Sequence, residues 1–335
     1  MAFFLEKVDS PGFVPPHMKS ENQLPSASNS ALFSSAASGN LEQVKAALSA
    51  GGSPNYFNPK SDGATALHAA ARACTNDAAN CVRELLANGA VLDAKTITTN
   101  NSPLHEAILA NNQATAEALI AAGALFTENS FGNTPLLLAV QQGNISVALS
   151  LIKKGHTVSV KNNQGRNALH ICANMATGKE AFVKMAACLI MYGVDASGVD
   201  NNKYTPLHAA ASVGNLDMVQ LLADSGAALS PKSHMYVGSR LTERTPFEVA
   251  DLSGHDQVAR FLDSEVSKES SGQRATDGEV AKRLSRGLVS EVSAAAKRGD
   301  ENSNRGNGVA GRTTPQKAAK EPVFVGSGAA VAKGK

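Results

Sequence analysis

Residues Thr205–Ala227 read TPLHAAASVGNLDMVQLLADSGA. Thr205 stands immediately before Pro206, a hydroxyl at a helix N-cap followed by Pro at the first helical position. A short apolar helix follows, and Gly214-Asn215 turns the chain. Leu216, Val219 and Leu222 then recur at helical spacing through a second helix. Gly226 closes the unit, where a left-handed residue is wanted. The spacing predicts a helix–turn–helix of little more than twenty residues.

The pattern returns along the chain. ATALHAAA spans 64–71, SPLHEAIL 102–109, TPLLLAVQ 134–141, NALHICAN 167–174 and TPFEVADL 245–252. The steps between equivalent positions are 37, 32, 33, 38 and 40 residues. Second helices follow, as in GNISVALSLIKKG at 143–155, and close on Gly89, Gly123, Gly155, Gly193 and Gly226. One such helix pair cannot bury its apolar face alone, whereas stacked neighbours can. Alanines such as Ala69, Ala70, Ala209 and Ala210 permit close approach of helices. That suits a chain with 11 Phe, 4 Tyr and no Trp, and none of them between Phe57 and Phe126.

Thr205–Ala227 resembles the ankyrin repeat family almost residue for residue. The resemblance covers roughly 29–265 and implies an all-α solenoid of stacked helix–turn–helix units with β-hairpin-like loops. Ala31–Gly52 lacks the opening tetrapeptide but keeps the two-helix rhythm, as an N-terminal cap would. The unit from Thr245 to about Ser267, with polar HDQVARFLDSE, reads as the C-terminal cap. Seven units result.

Some units depart from the pattern. From the cap residue to the closing Gly the ordinary span is 21 residues; the unit at Thr65 takes 24 and that at Asn167 takes 26. The extra residues, around CTNDAAN and MATGKEA, are expected in the helix–helix turn. From Gly226 to Thr245 the step is 19 residues against 11 to 13 elsewhere, a finger at 228–244.

The flanks read differently. Residues 1–28 carry Pro11, Pro15, Pro16 and Pro25 among serines and are expected to be disordered. Residues 266–335 hold 13 Lys/Arg and 7 Asp/Glu and form a basic low-complexity tail, although the whole chain is only +2. Within that tail Thr276-Asp277-Gly278-Glu279 has the form of a capping box, and Val280, Leu284, Leu288 and Val292 follow at steps of four. An amphipathic helix is expected over 277–298.

Chemistry for catalysis is scarce. His68, His105, His170 and His208 share one repeat position, so a structural hydrogen bond to the adjacent turn is expected, not a metal site. Leu137 and Glu248 replace that His, which predicts looser junctions there. Cys74, Cys81, Cys172 and Cys188 show no paired metal-ligand spacing and read as small buried or half-buried thiols. GNGVAG at 306–311 lacks the strand and helix a dinucleotide loop requires. No Walker A, HExxH or GxSxG string occurs. The expectation is a non-catalytic protein with no cofactor and no metal.

No apolar run approaches a membrane span, and MAFFLEKVDSP has no basic n-region. An intracellular, cytoplasmic or nuclear protein, monomeric by itself, is expected. The resemblance implies a partner protein held on the concave face of hairpin tips and first-helix ends. Carried onto this sequence, that face includes Arg72, Thr99, Leu109, Phe131, Gln141, Gln142, Arg166, Met175, Tyr204 and Val213. In the finger, His234, Met235 and Tyr236 join them, on a loop the repeat does not require. The alternative is nucleic-acid or chromatin association through the basic tail, against which a single tail aromatic, Phe324, offers little stacking.

Overall fold

In the computed structural model, residues 26–175, 179–237 and 240–271 are described. The N-terminal segment up to residue 25 and the expected helix at 277–298 lie outside them. The described residues form seven helix pairs: α1 (Ala27–Ala37) and α2 (Leu41–Ser49), α3 (Ala66–Arg72) and α4 (Ala78–Ala87), α5 (Pro103–Leu109) and α6 (Gln113–Ala121), α7 (Pro135–Gln141) and α8 (Ile145–Lys153). Then come α9 (Ala168–Ala173) and α10 (Lys179–Met191), and α11 (Pro206–Val213) and α12 (Leu216–Asp224). A hairpin of β1 (Ser233–Val237) and β2 (Arg240–Arg244) precedes α13 (Pro246–Leu252) and α14 (Asp256–Ser270).

Each first helix packs on the first helix of the next pair, and second helices do the same. The exception is α8 and α10, which stand further apart. The local chemistry accounts for the helix starts. Ser102, Thr134, Thr205 and Thr245 are N-caps with Pro at the first position. Asn40, Asn112, Asn144 and Asn215 cap second helices through side chains that accept from the backbone three residues on. Gly89, Gly123, Gly155, Gly193 and Gly226 end those helices at φ between 81 and 92°.

The core is a single row of small and aliphatic side chains. Leu67, Leu104, Leu136, Leu169 and Leu207, all two residues after the cap, are fully buried. Five residues after the cap stand Ala70, Ala107, Ala139, Cys172, Ala210 and Ala250, also fully buried. Small side chains there let first helices approach closely, which explains how the stack closes without aromatic bulk.

Four expectations need correction. The extra residues of the unit at Asn167 do not all enter its turn, because α10 is 13 residues long where α6, α8 and α12 have nine. The finger at 228–244 is not an irregular loop but contains an antiparallel hairpin, with Ser233 opposite Arg244 and Val237 opposite Arg240. The repeat region does not stop at 265: Val266 stands where a closing Gly would end the helix, and α14 runs on to Ser270. Cys74 is exposed, its Sγ 3.6 and 3.7 Å from the Arg72 and Ala110 carbonyls, while Cys81, Cys172 and Cys188 are buried.

Candidate interaction surface

The hairpin tips are tied to one another through the backbone. Ile97 N–H donates to Asp62 O (2.9 Å), Ser130 to Thr99 (2.9 Å), Asn163 to Phe131 (3.2 Å), Asn201 to Gln164 (3.0 Å) and His234 to Asn202 (2.8 Å). Every acceptor lies three residues before a helix cap, so the tips form one continuous strip and the finger is its last member. Within a tip an Asx side chain holds the turn. Asn129 Oδ1 accepts from Phe131 and Asn133 N–H, Asn162 from Gln164 and Arg166, and Asp200 from Asn202 and Tyr204. In the tip at 96–101 Thr96 takes that place and accepts from Asn101 N–H at 2.9 Å. That tip is one residue longer, and it leaves Ile97 half exposed.

Two residues before the caps Thr65, Ser102, Thr134, Asn167 and Thr205 the chain turns left-handed. Gly63, Gly132 and Gly165 occupy this position, but Asn100 (φ 52°) and Lys203 (φ 57°) also do. At Gly132 and Gly165 a side chain would strike the next tip, since an added Cβ would fall 2.6 and 2.8 Å from the backbone nitrogens of Asn163 and Asn201. Lys203 holds a conformation unfavourable by about 1–2 kcal/mol for an L-residue, partly offset in Gly by its freer unfolded chain. Lys203→Gly is therefore expected to stabilise by roughly 0.5–1 kcal/mol and raise Tm by about 2 °C in a thermal melt. An unchanged or lower Tm would contradict this.

The four histidines join neighbouring repeats. At His68 the Thr65 N–H donates to Nδ1 (3.1 Å), which fixes the proton on Nε2, and Nε2–H donates to Asn101 O of the next unit (3.1 Å). His105 links Ser102 to Asn133, His170 links Asn167 to Tyr204, and His208 links Thr205 to Arg244 in the same way. Burial pushes the imidazoles down, His68, His105 and His208 to about 4. Leu137 is fully buried at the corresponding place, so its junction exchanges this bond for apolar contact, and it is also where α8 and α10 stand apart. The cap at Glu248 is kept: its Oε2 accepts from Thr245 N–H at 2.9 Å. A carboxylate reproduces the imidazole's acceptor role there.

The residues expected on the interaction face separate into three groups. Phe131 at a tip and Leu109 at a helix end are 61 and 40% exposed, with Gln141 and Gln142 exposed beside them. Arg72 and Arg166 are already engaged: Arg72 Nε lies 3.1 Å from Glu106 Oε2, and Arg166 Nε lies 3.6 Å from Asp200 Oδ2. The third group is less free. Thr99 Oγ1 bonds Thr96 Oγ1 at 2.8 Å, and Met175 and Val213 are partly buried. Tyr204 also serves the stack. Its ring lies on His208 at 4.9 Å, its hydroxyl donates to His208 O (3.1 Å), and burial raises its pKa. In the finger, His234 is partly buried, its Nε2 4.0 Å from Glu243 Oε1, and Met235 and Tyr236 lie in β1.

Seven exposed large apolar residues escaped the sequence reading, among them Ile97 and Leu252. Ile97 is 50% exposed in the lengthened tip, and Leu252 is 67% exposed at the end of α13. Leu252 stands seven residues after its cap, the position of Arg72, Leu109 and Gln141 in their units, so the repeat register carried the signal. Among the described residues no three His, Cys, Asp or Glu side chains gather as metal ligands, and no helix is long and apolar enough to cross a membrane.

The family model for ankyrin repeats in three copies matches residues 15–96, 32–129, 122–188 and 175–270. The chain belongs to the ankyrin repeat family. The ankyrin domain has relatives in much longer proteins. ZDHHC13 of Danio rerio is 31% identical over 193 residues, 57% of this chain and 28% of that protein. The poly(ADP-ribose) polymerase tankyrase of Caenorhabditis elegans is 30% identical over 261 residues, 71% of this chain and 11% of that one. The human SH3 and multiple ankyrin repeat domains protein 2 is 26% identical over 224 residues, covering 66 and 11%. The chain thus spans only a small part of these relatives. Among solved structures, the ankyrin repeat domain of human ASB11 superposes with a TM-score of 0.58 at 23% identity, over 69% of this chain and 96% of that one, which shows the shared fold. Ankyrin repeats generally mediate protein–protein interaction.

Proposed function

We propose that this chain is a non-catalytic scaffold or adaptor module that captures a partner protein on the face made by its hairpin tips and first-helix ends. The observation that carries this reading is the exposure of Phe131 and Leu109, at 61 and 40%, on a frame whose tips are tied together by backbone hydrogen bonds. Neither side chain is needed for stacking. Exposed aromatic and large apolar groups on a rigid frame are what interface anchors are made of. Ile97 and Leu252 extend the same chemistry along the strip and beyond it. Arg72 and Arg166, held by Glu106 and Asp200, supply oriented charge at the rim. The activity of relatives that are enzymes does not transfer, because the matches cover only 28 and 11% of those proteins.

The test is affinity capture with the full chain and with Phe131→Ala/Leu109→Ala. The double variant is expected to lose about 2 kcal/mol of partner binding, roughly thirty-fold, with Tm nearly unchanged. Partners retained at wild-type affinity would reject this face as the site. A collapse in Tm would show instead that these side chains belong to the core.

A further inference from the structure

We propose that the partner segment held beside Phe131 is an acidic stretch of polypeptide, its carboxylates meeting Lys161, Arg166 and Lys203. This rests on the reading above that the tip face is the binding site. The three cations belong to two tips that are bonded into one piece. Asn201 N–H donates to Gln164 O (3.0 Å) and Asn201 Nδ2 to Asn163 O (2.9 Å), while Lys161 Nζ donates to Val199 O (2.9 Å). Arg166 Nε lies 3.6 Å from Asp200 Oδ2, and Lys203 stands three residues further on. Asn163 N–H donates in turn to Phe131 O at 3.2 Å, which places the exposed Phe131 in the adjoining tip.

The charge of this piece is not balanced from within. Asp200 is its one carboxylate, is buried, and already accepts from Asn202 and Tyr204 N–H through Oδ1. Lys161 and Lys203 are exposed, and among the described residues neither has a carboxylate partner. The neighbouring sequence brings no relief. Residues 129–179 contain five Lys/Arg and no Asp or Glu, whereas residues 1–265 as a whole carry 22 acidic and 18 basic side chains. On the other side, Glu243 of the finger is taken up by Lys232 at 3.3 Å. Lys203 also keeps its side chain at a left-handed position (φ 57°), where Gly63, Gly132 and Gly165 stand in other tips. A strained residue retained at the surface, where Gly would relieve it, points to a use for its side chain. An acidic chain suits these cations, because they stay at a hydrated rim and their field also steers encounter. Nucleic acid suits them less. Tyr204 lies on His208 and leaves Phe131 as the free ring beside them, whereas successive bases want several.

The probe is a fluorescein-labelled peptide of alternating Glu and Asp around a central Leu-Phe pair, titrated with the full chain by fluorescence anisotropy. Its Gln/Asn counterpart is the reference. The wild type is expected to bind the acidic peptide about ten-fold more tightly at low salt, an advantage that shrinks as salt is raised. Lys161→Gln/Lys203→Gln is expected to remove most of that advantage, and Lys161→Arg/Lys203→Arg to keep it. Phe131→Ala is expected to weaken both peptides alike, so charge and apolar anchor are read separately. Equal affinities for the two peptides in the wild type would overturn the proposal, as would an advantage that survives Lys161→Gln/Lys203→Gln. If Phe131→Ala still weakens both peptides in those cases, the face stands as the binding site and only its acidic preference falls. A random-sequence RNA bound more tightly than the acidic peptide would assign the cations to nucleic acid and likewise reject the proposal.

Discussion

Acidification from pH 7 to about pH 4.5 is expected to unfold the repeats. The reason lies in the buried imidazoles. Burial is the main cause that lowers His68, His105 and His208 from 6.5 to about 4, and it lowers His170 and His156 as well. The geometry acts in the same direction, because Nδ1 of each bridging His accepts a backbone N–H and cannot do so once protonated. His156 has its Nδ1 on Thr157 O and its ring stacked on Phe126 at 5.1 Å. A folded-state pKa below the unfolded value contributes stability that is complete above pH 6.5 and lost as pH falls towards 4. Each such group costs about 1.4 kcal/mol per pH unit in that window, so three together cost about 4. About 8 kcal/mol is then lost within about two units, enough to exhaust a domain in the lower half of the roughly 5–15 kcal/mol range. Far-UV circular dichroism across the titration measures it. Undiminished helicity at about pH 4 would mean that these imidazoles are solvated on protonation.

His105→Ala is the single substitution expected to hurt most. It strips the acceptor from Ser102 N–H and the donor from Asn133 O, both in buried surroundings, and leaves a small cavity. Each abandoned group costs about 1–3 kcal/mol, so a total near 4 kcal/mol and a fall in Tm of about 10 °C are expected. The same variant loses one proton from the acid transition and flattens it by about 1.4 kcal/mol per pH unit. Gln142→Ala, at an exposed helix end, serves as control and should move stability by less than about 0.5 kcal/mol. If the two variants melt alike, the histidine bridge carries no weight in the stack.

Much of the fold is legible in the sequence because the decisive residues act locally. A hydroxyl before Pro and a Gly after the second helix specify their own helix ends, whatever surrounds them. The shared histidine position is readable for the same reason, since its cap lies three residues away. What escapes is set by neighbours at a distance. Tyr204 looks like a tip aromatic in the sequence, yet it lies against His208 because that ring is already pinned between two repeats. Arg72 and Arg166 look free until Glu106 and Asp200 arrive from the next unit. Glu248 breaks the histidine pattern but keeps its chemistry, and only the geometry of the Thr245 amide reveals this. For Ile97 the missed signal was a one-residue lengthening of its tip.

The junction at Leu137, where the histidine bridge is replaced by apolar contact and the second helices stand apart, also sets how the molecule answers a mechanical load. Each repeat is anchored to its neighbours, so junctions along the stack behave as springs in series under tension. At neutral pH the junction at Leu137, which lacks that hydrogen bond, is expected to yield first. Acid weakens the bridged junctions and leaves the apolar one untouched, so the order of yielding reverses, and a change of pH moves the point of rupture along the chain.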